Sequence, residues 1–197
     1  MLRDLLAIVE TGTFADLGRM DLLEAKWSGA DLTLYFDVSP NGKRHETWVL
    51  VCTSAVEYHL TAANECGLNH WTSDDHPAIA QFTEPHEDLY FSRPTDNAHA
   101  LLGKLNLTHR KATDDWISFD RYLNEQVTRS ELVTLDGGLL ASGPSFLIEA
   151  YAGVLSQEGM EPKRLASEFT EYLTQAEMIH FGDSYVVADS FDASALH

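Results

Sequence analysis

LTLYFDV, residues 32–38, is the stretch on which the fold turns. Leu32, Leu34, Phe36 and Val38 alternate with Thr33, Tyr35 and Asp37. Successive side chains of a strand leave opposite faces, so this period-two pattern predicts a half-buried β-strand with one apolar face. Downstream, Pro40-Asn41-Gly42-Lys43 reads as a hairpin turn, because Asn and Gly accept the positive φ that tight turns need. Residues 46–60 follow, rich in Val, Tyr, Thr and Trp, with a bend expected at Thr53-Ser54-Ala55. Upstream, Leu23, Ala25 and Trp27 alternate before the turn residues Ser28-Gly29-Ala30-Asp31. Sequential strands joined by short turns predict an antiparallel β-meander.

Beyond the meander the periodicity becomes helical. Leu2, Leu5, Leu6 and Val9 sit at i, i+3, i+4 and i+7, with Gly12 placed to end that helix. Thr95 or Asp96 is expected to cap a helix carrying Ala98, Leu101, Leu102 and Leu105. Pro144 suits a first helical position before the stripe Leu147, Ala150, Tyr151, Val154 and Leu155, which Gly159 closes. Pro162 opens a second such run, with Leu165, Phe169, Tyr172, Leu173 and Ala176. Short strands are expected over 89–91, 116–119 and 131–135, and a closing hairpin over 179–187. No repeat or low-complexity linker interrupts the chain. The expectation is therefore a single globular domain spanning 1–197, of α+β class: an antiparallel β-meander sheet packed by segregated amphipathic helices.

Composition bounds the function. Asp and Glu total 31 against 13 Lys plus Arg, a formal net charge of −18, and the acid is spread along the chain. Such a field repels nucleic-acid phosphates and anionic lipid and speeds encounter with a basic protein. No apolar run has membrane-spanning length. Asp4 and Glu10 interrupt the apolar N-terminus, which lacks the features of a secretory signal, so a cytoplasmic protein is expected. Cys52 and Cys66 form no disulfide framework or CxxC motif. The sequon Asn106-Leu107-Thr108 is taken as a chance match.

Chemistry-bearing residues concentrate in 67–88. His70, Asp74 and His76, with His86 as a further candidate, supply the side-chain types of a zinc site and define a metal-dependent hydrolase reading. Their spacing matches no compact ligand motif, since the histidines are six apart rather than four. Ser73, Asp74 and Asp75 are equally turn and cap residues ahead of Pro77, and that simpler account is preferred. Trp71 lies among carboxylates, as a partner hot spot would. With Asp74, Asp75, Glu84, Glu87 and Asp88 it forms the candidate binding face.

The glycine-rich run 136–144 matches neither phosphate-loop pattern, and Ser142 lies in no nucleophile elbow. The leading expectation is a non-enzymatic acidic module without a cofactor, binding a basic protein. Small acidic immunity proteins neutralise basic toxins in this way, an analogy of charge and size only. A homodimer through an exposed strand edge or the C-terminal hairpin is the third expectation.

Overall fold

The computed structural model describes all residues except 43–44, 62–63, 66, 73–75, 125, 127–128, 168–172 and 197. In chain order, α1 (Leu2–Val9) and α2 (Gly12–Leu17) precede β1 (Arg19–Ser28), β2 (Asp31–Ser39) and β3 (Glu46–Thr53). The short strands β4 (Glu57–His59), β5 (Asn64–Glu65) and β6 (Asn69–Thr72) lead to α3 (Pro77–Thr83). Next come β7 (His86–Ser92), α4 (Ala98–Thr113), α5 (Arg129–Thr134), β8 (Gly137–Pro144), α6 (Ser145–Gln157) and β9 (Glu161–Ala166). β10 (Glu177–Phe181), β11 (Ser184–Ala188) and β12 (Ser190–Leu196) complete the order. Helices combine with sheets whose strands all pair antiparallel, the expected α+β class. These elements make two compact units, one of residues 1–79 with 175–197 and one of residues 80–174.

In the first unit the meander forms as the alternation requires. β1, β2 and β3 are consecutive neighbours in a five-stranded sheet, ordered β12-β3-β2-β1-β5. Leu34 faces Leu50 and Phe36 faces Trp48 across β2–β3, and all four are buried. Gly29, at φ +66°, is the first residue of a two-residue turn, the glycine-first geometry that suits a β-hairpin. A second sheet runs β4-β11-β10-β6. The Phe36 ring meets Phe181 of β10 edge-on, with centroids 5.1 Å apart. Leu5 and Val9 of α1 join the same apolar core, beside Ile179 and Val186. Each fully buried side chain of this kind contributes about 1.5–3 kcal/mol relative to exposure.

The second unit carries a three-stranded sheet, β8-β7-β9. Its core joins Leu89 and Phe91 of β7 to Leu101 and Leu105 of α4 and to Leu147 and Tyr151 of α6. Gly143 is needed for packing, because a Cβ there would lie 2.8 Å from the Tyr122 ring.

Several local expectations are corrected. Residues 161–166 are the strand β9, not a helix, with Pro162 opposite Phe91 and Arg164 opposite Leu89. An edge strand tolerates proline, since a missing N–H on its open side breaks no ladder bond. Phe169 and Tyr172 of the expected helix lie outside the described residues. Residues 129–134 form a helical turn rather than a strand, burying Leu132 alone of its apolar residues. Residues 116–119 form no strand. Gly12 begins α2, capped by Thr11 Oγ1, instead of ending α1, and the cap of α4 is Asn97, whose side chain accepts from the Ala100 N–H. Among the described residues no helix is long and apolar enough to cross a membrane.

Candidate functional site

The histidine-rich stretch is partly a strand. β6 pairs with β10, placing His70 opposite Ile179 and Trp71 opposite Met178. Adjacent strand residues leave opposite faces, so His70 and Trp71 point apart. His70 Nε2 lies 2.8 Å from Glu177 Oε2, and its ring stands edge-on to Phe191 at 6.2 Å. On the other face the Trp71 ring lies 5.3 Å from His76 and 5.7 Å from His180. Trp71 is therefore half-buried among imidazoles rather than displayed on a polar loop.

His76 is buried, and its Nδ1 accepts from the Ala78 N–H at 3.2 Å. With Pro77 as the first helical residue, the imidazole does what a capping oxygen does at other helix starts. Asp74 and Asp75, with Ser73, lie outside the described residues. A cleft of about 340 Å³ beside His70 is lined by Leu6, Glu10, Leu68, Asn69 and Trp71.

The carboxylates of 84–88 have partners within the second unit. Glu84 Oε2 accepts from Ser145 Oγ at 2.5 Å and from the Phe146 N–H at 3.1 Å. Pro144 precedes α6 and has no side-chain cap to offer, so Glu84 supplies one from outside the helix, next to its positive end. Glu87 takes a two-pronged ion pair from Arg164, at 2.6 and 3.0 Å. Asp88 accepts from Ser142, its direct neighbour across β7–β8, at 2.6 Å. His86 Nε2 donates to the Gln81 carbonyl at 3.0 Å, and its ring stands edge-on to Tyr122.

Among the described residues no three His, Cys, Asp or Glu side chains gather as a metal ligand set. Cys52 is a buried free thiol, pushed up to about 12 by desolvation. A thiol held protonated is a poor nucleophile.

Two features escaped sequence reasoning. Glu177 is the partner of His70 from 107 positions away, and no local spacing signals it. The other is an exposed apolar edge. Trp27 on β1 and Tyr58 on β4 are 47% and 50% exposed, with rings 5.2 Å apart, and Leu23 is 58% exposed. Alternation placed Trp27 on a strand, but only the sheet order shows that strand lying near an edge. No known protein family, curated protein or solved structure matches this chain.

Proposed function

We propose that this chain is a non-enzymatic acidic module that binds a basic protein. The observation that carries the proposal is how its charge is distributed. Arg19, Lys26, Arg93, Lys104, Arg110 and Arg164 each engage a carboxylate of the same chain. These cations are thus engaged within the chain, which carries 31 carboxylates against 13 cations, and several of the acids in excess are exposed. Glu10, Asp16, Asp96, Asp120, Asp183 and Asp192 are among the exposed acids.

Such a field raises the rate of encounter with a cationic surface and weakens as salt shortens its range to about 8 Å. Glu84, Glu87 and Asp88 already engage partners within the chain, and we therefore assign the binding role to the more exposed acids. The test is to isolate a partner from the native source at low salt, purify it, and measure association rate and affinity against ionic strength. A basic partner whose association slows steeply with salt supports the proposal. An acidic partner, or an affinity indifferent to salt, overturns it.

A further inference from the structure

The cleft beside His70 lies in the first unit and is built from α1 and the start of β6. Leu6 and Glu10 are four residues apart, so they share one face at the end of α1, next to the stripe of Leu5 and Val9 that enters the core. Leu68 is buried and Leu6 half-buried, which gives the cleft an apolar wall.

The imidazole in this cleft is held from two directions. Glu177 Oε2 is 2.8 Å from Nε2, and the ring stands edge-on to Phe191. A carboxylate only accepts, so in the neutral ring Nε2 carries the proton and Nδ1 is left as an acceptor. Among the described residues Nδ1 meets no hydrogen-bond donor.

The surrounding charge has one sign. Glu10 is exposed and pairs with no cation among the described residues. It also caps the C-terminus of α1, whose last turn holds no basic residue. The negative end of a helix dipole favours a cation. Carboxylate, helix end and imidazole nitrogen therefore ask for the same thing, a positively charged donor. The leucine wall suits the aliphatic stem on which such a charge is carried in Lys and Arg.

We propose that this cleft receives an arginine side chain of a basic protein partner, its guanidinium placed between His70 Nδ1 and the Glu10 carboxylate. A guanidinium presents five N–H groups in a planar fork, so it serves separate acceptors at once where an ammonium is a point charge. At about 340 Å³ the cleft is at the low end of ligand pockets, which run from roughly 300 Å³ upward, and it suits one side chain. The assignment rests on the reading of the chain as a module that binds a basic protein, and it names where that partner is gripped.

The experiment is an NMR titration of the full chain with Nα-acetyl-arginine amide, and in parallel with its citrulline counterpart, which has nearly the same shape and no charge. The arginine compound is expected to bind with a dissociation constant on the order of millimolar, shifting the His70 ring and the Leu6 methyls, and citrulline to shift neither. Glu10→Gln and His70→Ala should each weaken binding about tenfold, the loss of one charge-assisted hydrogen bond. Asp120→Asn removes one exposed carboxylate from the second unit and should leave affinity within about twofold, because salt screens so distant a charge. An equal response to citrulline, shifts only at other residues, or equal weakening by Asp120→Asn overturns the site. Glu10 is exposed, so Glu10→Gln keeps the test decisive even if His70→Ala fails to fold. Against the native partner the two readings separate. A basic partner whose salt-dependent association is unchanged by Glu10→Gln and His70→Ala overturns the cleft alone, whereas an acidic partner overturns both.

Discussion

Tyr151 Oη lies 2.8 Å from Nδ1 of His109, while Nε2 of the same ring is 2.6 Å from the Ile117 carbonyl. Both residues are fully buried, on α6 and α4. A carbonyl only accepts, so Nε2 carries the proton and Nδ1 accepts from the phenol. Burial pushes the Tyr151 phenol up, which keeps that donor intact. His99, on the same helix, is exposed.

Removing the phenol therefore leaves a buried acceptor unmet. Tyr151→Phe is expected to cost about 1–3 kcal/mol in urea unfolding, the usual penalty for an orphaned buried polar group. His109→Ala should cost more, because it strands two partners and opens a cavity. A Tyr151→Phe chain as stable as the parent would show that the contact does not matter to folding.

The Cys52 thiol gives a pH signature. Its folded value, about 12, stands above the ordinary value of 9.0. A raised value means that its contribution is fully present below about pH 9. Stability is then lost as pH rises toward 12, because the unfolded chain releases a proton that the folded one keeps. Unfolding midpoints are expected to fall across that window, and Cys52→Ala should flatten the part of the slope due to this thiol. At pH 8 the folded thiol should also resist alkylation, whereas rapid labelling without unfolding would contradict its burial.

Glu84 is expected to act as a cap rather than as a binding residue. Glu84→Ala should cost about 1–2 kcal/mol, the range for losing a helix cap. Glu84→Gln keeps an acceptor and should cost less than half of that. Equal losses in the two variants would mean that charge, not hydrogen bonding, carries the effect.

Chelation is expected to leave the thermal midpoint unchanged. His70 pairs with Glu177 on one face of β6, whereas His76 packs on Trp71 on the other. A structural zinc ion contributes on the order of 10 kcal/mol, so its removal would be unmistakable. A large drop in the midpoint with EDTA, reversed by zinc and absent in His70→Ala, would show a zinc site at these residues, as the metal-dependent hydrolase reading requires.

The amino-acid sequence by itself determined the elements whose periodicity is strong and local. Alternation across 32–38 specified β2 and with it the meander. The i, i+3, i+4 spacings specified α1, α4 and α6, because those patterns must bury one face whatever surrounds them. Tertiary structure decided the rest. Pro162 and Leu165 carry a helical spacing, yet pairing with β7 drew 161–166 into an edge strand, where proline is tolerated. The short 131–135 run could be strand or helix, and burial of Leu132 went with the helix. Histidine chemistry was least legible, since an imidazole is defined by what its two nitrogens meet. The residues met by His70 and His109 lie 107 and 42 positions away, at separations where no spacing rule reaches.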